Sequence, residues 1–274
     1  MRLQLRDTTA PAHRRSHGVT TIAHRGASSE APENTLAAVR RAVQLGADMV
    51  EVDVQRTRDG VLVLMHDATL TRTTDAALVF PDRAPWSVAD LAYAELRRLD
   101  AGRWMSPRFT GARVPTLVEV LRLLHGTRTG LLLEVKMPHL HPGIVADVVS
   151  TLHAVPGVLD RSVSDGRLVV QSFDVAAMKE HKTRAPEVPV GLLGAPPREN
   201  LPALASWADL VNPHHLGFGR GYVRAVQDHG MRCMVWTVDS RYAMRRALGM
   251  GVDGIITNRP AHLSALRLRR PVRV

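Results

Sequence analysis

The sequence is poor in the features that stabilise secreted and membrane proteins. It has 274 residues but a single cysteine, Cys233, which excludes an internal disulfide and a zinc site built from cysteines. No stretch reaches the roughly 18 apolar residues of a membrane span. The basic N-terminus contains no apolar stretch of the signal-peptide type. We therefore expect a cytoplasmic protein with no stable membrane insertion.

Lysine is also scarce. Of 36 basic residues only three are lysines, Lys136, Lys179 and Lys182, yet the net charge is +10. Abundant arginine is typical of a GC-rich coding sequence, although a basic protein also attracts phosphate esters, nucleic acid or an acidic membrane. Charge is the only feature that favours nucleic acid, so we expect no such partner. Residues 1–17 and 269–274 are interpreted as a flexible basic N-terminus and a C-terminal tail.

Between these ends, apolar β-branched runs alternate with amphipathic segments. The runs predict eight strands, at 19–24, 48–54, 131–136, 168–172, 188–193, 208–212, 231–237 and 252–256. Amphipathic segments predict helices between them, and Thr116 and Glu119 have the spacing of a capping box. Alternation of this kind predicts an α/β fold, a (β/α)8 TIM barrel over residues 18–268.

Residues 67–115 contain no barrel strand and predict a small subdomain inserted after strand two. The segment includes a predicted helix at 87–98 and five of the eleven aromatic residues, Phe80, Trp86, Tyr93, Trp104 and Phe109. An ordered insertion of this length is often functional, and a packing role is equally consistent with it.

Two local signals bear on the start of the barrel. The Asp-Gly pair at 59–60 predicts a hairpin turn between 51–56 and 61–65. Asn34 lies just before the first helical segment and is predicted to be its N-cap.

Unusual polar residues follow the predicted strands, at the end where TIM barrels carry their active sites. Glu51 and Asp53 are two residues apart on one strand, and Glu134 and Lys136 are two apart on another, so each pair shares a face. Carboxylates that point into one barrel mouth repel each other unless a proton or cation lies between them. Glu51, Asp53 and Glu134 are thus a candidate site for one divalent cation, Mg²⁺ or Ca²⁺.

Two histidines and two cations accompany these carboxylates. His24 ends the first strand and His66 follows the hairpin; one imidazole could accept a proton while the other donates one. Arg25 and Lys136 could hold an anion, and Lys136 is the only lysine in the first 178 residues. Together these groups suit hydrolysis of a phosphodiester.

Taken singly, each of these residues has a structural explanation. Glu51 and Asp53 could form surface salt bridges, His66 could be a satisfied loop histidine, and Trp236 could be ordinary core. Only the joint arrangement favours chemistry.

The stretch 23–74, which contains the pattern His24-Arg25, Glu51-x-Asp53 and His66, closely resembles the start of the glycerophosphodiester phosphodiesterase family. The resemblance continues through LAYAELRRLDAGRW (91–104), VPTLVEVL (114–121), LLLEVK (131–136), VVQSFD (169–174), VWTVD (235–239) and GVDGIITNRP (251–260). It therefore spans nearly the whole chain from about residue 20.

The resemblance implies a phosphodiesterase barrel with an insertion after strand two. It implies that Glu51, Asp53 and Glu134 bind a divalent metal, that His24 and His66 are the acid/base pair, and that Arg25 and Lys136 contact the phosphate. Trp236 would line the substrate pocket, and Gln171 would lie at the mouth or just behind it. His139, His141, His214 and His215 receive no role.

The activity that the resemblance implies is metal-dependent hydrolysis of a small-molecule glycerophosphodiester to sn-glycerol 3-phosphate and an alcohol. In the family picture the glycerol 2-hydroxyl attacks phosphorus and water opens the resulting cyclic phosphate. Two alternatives stay open: a related phospholipase that acts on intact lipid or stops at a cyclic phosphate, and a barrel that binds without catalysis. The head group, the oligomeric state and the assignment of base and acid are left open.

Overall fold

The computed structural model of the chain describes residues 18–159 and 166–268. The predicted N-terminal segment 1–17 and tail 269–274 lie outside the described residues. Within the described ranges, no helix is long and apolar enough to span a bilayer.

Eight parallel strands close into a barrel, so the predicted TIM-barrel fold is confirmed. The first strand pairs with both the second and the last strand, which leaves no open edge. A ninth, short strand pairs antiparallel with the second one and forms the predicted hairpin. The strands are β1 (Thr20–Ala23), β2 (Met49–Arg56), β3 (Leu62–Leu64, the hairpin partner), β4 (Gly130–Val135), β5 (Leu168–Ser172), β6 (Val190–Leu193), β7 (Leu210–Asn212), β8 (Arg232–Val235) and β9 (Gly254–Thr257).

Helices follow the strands and cover the outside of the barrel. They are α1 (Leu36–Gln44), α2 (Ala76–Val79), α3 (Tyr93–Leu96), α4 (Leu117–Leu124), α5 (Ile144–Ala154), α6 (Val175–Arg184), α7 (Leu201–Ala205), α8 (Arg220–Asp228), α9 (Arg241–Met250) and α10 (Pro260–Leu268). The predicted capping box at the start of α4 is confirmed, because Thr116 accepts from the Glu119 backbone N–H and Glu119 accepts from that of Thr116.

The N-cap predicted at Asn34 is wrong. Thr35 caps α1 and accepts a hydrogen bond from the Ala38 backbone N–H at 3.3 Å. Asn34 has a positive φ of 55°, a conformation that asparagine tolerates better than most residues. Its side chain turns instead toward the barrel interior, where Asp53 binds it.

The segment between β3 and β4 forms its own apolar cluster above the hairpin. Trp86, Tyr93 and Phe80 pack against buried aliphatic side chains there. The helix predicted over 87–98 is wrong: a 3-10 turn, Val88–Asp90, is followed by extended Leu91 and Ala92 and then by the single turn of α3. The β2–β3 turn causes this break, since Arg58 N–H donates to the Leu91 carbonyl and Asp59 accepts from Tyr93 N–H.

Side chains alternate strictly between two environments along the barrel strands. On β2, Val50, Val52 and Val54 pack outward in the main core against the helices. Met49 points inward and joins a small apolar cluster at the centre of the barrel, formed by Ile22, Met49, Leu132, Val169, Leu210, Met234 and Ile256. This central layer is the floor on which the polar residues of the next layer rest.

Candidate active site

A cavity opens at the carboxyl ends of the strands and contains about 470 Å³ of empty space. It brings together eight of the nine residues predicted for the site, and the ninth, Asp53, is buried directly beside them. The lining residues are His24, Arg25, Glu51, His66, Glu134, Lys136, Gln171, Phe173, Leu193, Trp236, Thr237 and Ile256.

A constant spacing of two residues explains why these side chains meet. Each residue of the central apolar layer is followed, two positions later on the same strand or just past its end, by a polar or aromatic residue facing the same way. The pairs include Ile22 with His24, Met49 with Glu51, Leu132 with Glu134, Val169 with Gln171, Leu210 with Asn212, Met234 with Trp236 and Ile256 with Asn258. The site is therefore one layer above the floor.

Three buried carboxylates form the centre of the site. Glu51, Asp53 and Glu134 each offer an oxygen, and these atoms lie within 4.8 Å of one another. Burial and the charges of Asp53 and Glu134 raise the pKa of Glu51 well above its usual range. Burial, followed by the charge of Asp53, raises the pKa of Glu134 to about 7.

Two of these carboxylate oxygens have no hydrogen-bond donor. Glu51 Oε1 and Asp53 Oδ1 are both buried and unpartnered, an arrangement that costs free energy unless another group satisfies them. An all-oxygen set with unpartnered acceptors fits a hard divalent cation such as Mg²⁺ or Ca²⁺. These three residues could therefore hold the metal that the sequence predicts.

Two cations border the carboxylates. Arg25 has a positive φ of 55°; its backbone N–H donates to Glu51 Oε2 at 2.8 Å, and its Nε lies 3.4 Å from Asp53 Oδ2. Lys136 Nζ lies 2.6 Å from Glu134 Oε1 and 3.7 Å from Asp53 Oδ1. Although burial opposes it, the charges of Arg25 and Lys136 keep the pKa of Asp53 below its usual value.

His24 is held by an amide. Its Nδ1 lies 2.7 Å from Asn258 Oδ1, and its Nε2 lies 4.0 Å from Glu51 Oε2. Burial, followed by the charge of Arg25, lowers the pKa of His24 to about 4. The ring is therefore neutral at pH 7 in this environment, with one nitrogen available to accept a proton.

His66 is held by a carboxylate. Its Nδ1 lies 2.6 Å from Asp67 Oδ1, and Arg72 binds the same carboxylate through Nε at 2.6 Å. Although burial opposes it, hydrogen bonds from Arg72 and His66 lower the pKa of Asp67 to about 2. Arg72 also makes two hydrogen bonds to Glu33, and Glu33 accepts from Arg25 at 2.9 Å. A continuous chain of hydrogen bonds thus joins His66 to Arg25.

Trp236 and Gln171 lie on the opposite wall. Trp236 Nε1 donates to the Asn212 carbonyl at 2.6 Å, and Phe173 meets the indole edge-on at 5.6 Å between ring centroids. Gln171 is buried and accepts from Asn212 Nδ2 at 2.7 Å. Trp236 and Gln171 thus both bind Asn212. The aromatic rings of Trp236 and Phe173 form an apolar surface beside the cavity.

The four histidines without a predicted role lie outside the cavity lining. His141 is buried, with Nε2 3.2 Å from Gln55 Oε1. His214 packs edge-on against Trp236 at 5.0 Å, and His215 Nδ1 lies 3.3 Å from the Trp236 carbonyl oxygen. His214 thus packs against the indole and His215 lies against the backbone of the same residue, whereas no contact with Trp236 involves His139 among the described residues.

Residues 24–262 match the model of the glycerophosphoryl diester phosphodiesterase family. The chain belongs to this family. It is 35% identical over 246 residues to a glycerophosphodiester phosphodiesterase of Caldanaerobacter subterraneus subsp. tengcongensis, which covers 88% of this chain and 95% of the relative. It is 32% identical over 256 residues to one of Bacillus subtilis, covering 88% of this chain and 84% of that protein.

A solved structure has the same fold. It is a phosphodiesterase of Oleispira antarctica in complex with the product sn-glycerol-3-phosphate, with a TM-score of 0.79, 28% sequence identity, and coverage of 92% of this chain and 97% of that one. The present chain is therefore an enzyme, a phosphodiesterase of the glycerophosphoryl diester phosphodiesterase family.

The sequence reasoning missed several residues that support the site of this phosphodiesterase. Asn34 donates to Asp53 Oδ2 at 2.8 Å and accepts from the Asp53 backbone N–H at 3.1 Å. Asp67 holds His66, and Asn258 holds His24. All of them lie inside the motifs that carry the resemblance. Asn258 stands two residues after Ile256, the same spacing that relates the residues of the cavity to the central apolar layer, and this spacing was its signal.

Proposed function

We propose that this chain hydrolyses glycerophosphodiesters to sn-glycerol 3-phosphate and an alcohol, with one divalent cation and two histidines. The observation that carries the proposal is the cavity itself, in which three buried carboxylates, two cations and two histidines converge. The Oleispira antarctica phosphodiesterase, whose complex contains sn-glycerol-3-phosphate, supports the same product.

Glu51, Asp53 and Glu134 would hold the cation. When bound, it would neutralise charge that develops on the phosphate or on glycerol oxygens. Burial and mutual repulsion favour the protonated forms of Glu51 and Glu134. A bound divalent cation would favour their ionised forms and would add positive charge beside Arg25 and Lys136, which attracts a phosphodiester anion.

Arg25 and Lys136 would then orient the phosphate. Arg25 presents a guanidinium that Asp53 and Glu33 hold in place, and a fixed planar donor suits a phosphate oxygen. Lys136, which follows β4, supplies a compact charge. The faces of Trp236 and Phe173 would pack against the carbon atoms of the glycerol unit.

The two histidines would move protons. One removes the proton of the attacking hydroxyl, either the glycerol 2-hydroxyl or water, and the other protonates the departing alkoxide. Both have Nδ1 engaged with a protein oxygen, which leaves Nε2 of each ring for this purpose.

Release of glycerol 3-phosphate from sn-glycero-3-phosphocholine tests the function. We expect release with Mg²⁺ or Ca²⁺ and its loss after treatment with a chelator. Glu51→Gln preserves shape but removes the anionic ligand, and we expect its metal affinity, measured by calorimetry, to fall together with the activity.

Glu180→Gln is the matched control, because Glu180 is exposed on α6 and pairs only with Arg184 among the described residues. It should bind metal and turn over like the parent. Absence of release with several head groups and both metals would reject the substrate class. Equal metal affinity in Glu51→Gln and the parent enzyme would reject the ligand set.

A further inference from the structure

The surroundings of His24 contain two side chains to which neither the family pattern nor the sequence gives a role. Asn258 follows β9, and Asp239 follows β8 by four residues. Asn258 Oδ1 contacts His24 Nδ1 at 2.7 Å, and Asn258 Nδ2 donates to Asp239 Oδ2 at 2.6 Å. The order His24, Asn258, Asp239 is therefore a line of hydrogen bonds that leads away from the cavity.

Asp239 determines which way the Asn258 amide faces. A carboxylate only accepts hydrogen bonds, so the amide nitrogen of Asn258 must face Asp239 and its oxygen must face His24. Asp239 is itself anchored, because its Oδ1 accepts from the Asn258 backbone N–H at 2.8 Å and from Thr257 Oγ1 at 3.1 Å. Ser28 Oγ lies 2.7 Å from both Asn258 Oδ1 and the His24 carbonyl oxygen, and its single proton serves one of them at a time.

An amide oxygen in front of His24 Nδ1 requires a proton on that nitrogen. Neutral imidazole carries one proton, so Nε2 is left with its lone pair. Nε2 is the nitrogen on the Glu51 side of the ring, 4.0 Å from Glu51 Oε2. In the other tautomer Nε2 would carry the proton, so this nitrogen could not accept one from the substrate.

We propose that Asp239 and Asn258 are positioning residues that fix the tautomer and ring orientation of His24, so that Nε2 faces the substrate as a proton acceptor. The inference rests on the proposed role of His24 in proton transfer. Neither residue needs to touch the reacting atoms, because they act through the imidazole.

The variant Asp239→Asn and a matched control separate this role from a structural one. Asp239→Asn lets the Asn258 amide flip, and we expect kcat for sn-glycero-3-phosphocholine to fall about 10- to 100-fold with KM changed less than about 3-fold. Asp253→Asn is the control: Asp253 also accepts from a backbone N–H and an amide, those of Cys233 and Gln227, but precedes β9 at the other end of the barrel. It should leave kcat unchanged.

The exchange of both groups provides a rescue. In the double variant Asp239→Asn with Asn258→Asp, the amide at position 239 donates to a carboxylate at position 258, and that carboxylate again accepts from His24 Nδ1. We expect it to recover most of the kcat lost in Asp239→Asn. No recovery would overturn the proposal, as would an equal loss of kcat in Asp239→Asn and Asp253→Asn.

A spectroscopic readout is independent of turnover. Long-range ¹H–¹⁵N correlation spectra of the full chain at about pH 8, where imidazole is neutral, should show Nδ1 of His24 protonated in the parent and a mixture of tautomers in Asp239→Asn. A parent ring protonated at Nε2 would refute the inference. This measurement remains decisive if glycerophosphodiesters prove not to be substrates, so the two proposals fail separately.

Discussion

The two histidines of the site are held by opposite means. His24 lies against a neutral amide in a site where its side chain is 16% exposed, whereas His66 lies against a carboxylate with 31% of its side chain exposed. The partner of His24 belongs to the barrel, since Asn258 follows β9. The partners of His66 belong to the segment after β3, where Arg72 connects Asp67 to Glu33.

This difference indicates that a neutral partner from the barrel holds the His24 ring, whereas a charged partner from the segment after β3 holds the His66 ring. The amide beside His24 adds no charge to a buried site, so the neutral imidazole persists. The Asp67 carboxylate places a negative charge beside His66, and Arg72 pairs with the same carboxylate. A single cavity thus gives two chemically identical side chains different electrostatic surroundings, a pattern that suits one proton acceptor and one proton donor.

The strongest test of the comparison removes each ring in turn. We expect His24→Ala and His66→Ala each to lower kcat by at least about 100-fold, because general acid–base catalysis contributes on the order of 10² to 10⁴. His229→Ala is the control, since His229 is exposed at the end of α8 and bonds to the Ala225 carbonyl. Retention of activity by both active-site variants would refute their roles.

A weaker perturbation separates the two partners. Asp67→Asn keeps the shape of the side chain but removes the charge beside His66, and we expect kcat to fall about 10-fold. The reason is that a neutral amide holds Arg72 and the His66 ring more weakly than a carboxylate does. An unchanged kcat would show that Asp67 only packs against the ring.

Ionic strength should affect the two sides unequally. The Arg72 side chain is 43% exposed, so its ion pairs with Asp67 and Glu33 are screened by salt at about 1 M, where the Debye length is about 3 Å. We expect kcat to fall about 3-fold in this range. Arg72→Gln should start at the lower value and respond little to salt, whereas a parallel decline in both enzymes would place the salt effect elsewhere.

A third histidine shows what burial does without a partner. His181 on α6 is fully buried, both ring nitrogens lack a hydrogen-bond partner, and burial lowers its pKa to about 4. Glu187, Lys182 and His153 are the charged groups that act on it, and Glu187 opposes the shift. It resembles His24 in pKa but has no role in the cavity.

The lowered pKa of His181 determines how this residue makes stability depend on pH. Because the folded pKa lies below that of the unfolded chain, the unfolded state binds the proton first and stability is lost as pH falls from about 6.5 toward about 4. At pH 5 this amounts to about 2 kcal/mol. We expect the free energy of unfolding, measured in urea, to fall less between pH 7.5 and pH 5 in His181→Leu than in the parent. The exposed control His229→Leu should lose as much as the parent. Both variants should keep the activity of the parent.

Much of the fold was predictable because its signals are local. Each of the eight barrel strands is an apolar, β-branched run, and all eight are confirmed. The carboxylates were predictable for the same reason, since a spacing of two on a strand fixes the shared face of Glu51 and Asp53. The helix over 87–98 was wrong because Arg58 and Asp59, distant in sequence, bind the backbone in its middle.

The support of the site was beyond the reach of local patterns. Asn34 precedes a helix and is a residue type that is common at N-caps. Its side chain instead binds Asp53, which lies 19 residues later in the sequence. The contact between His24 and Asn258 spans 234 residues. Such pairs depend on closure of the barrel, because β1 and β9 become neighbours only when the sheet meets itself.

The shared spacing of floor and site has a consequence for how this chain can change. Along every barrel strand, side chains alternate between the outer core and the interior of the barrel. Insertion or deletion of a single residue inside a strand would therefore turn the interior side chains outward and the core side chains inward. Loops beyond the strand ends have no such phase and tolerate changes in length. A change in loop length at the mouth should therefore alter what the cavity recognises, whereas a change in strand length would displace the side chains of the site.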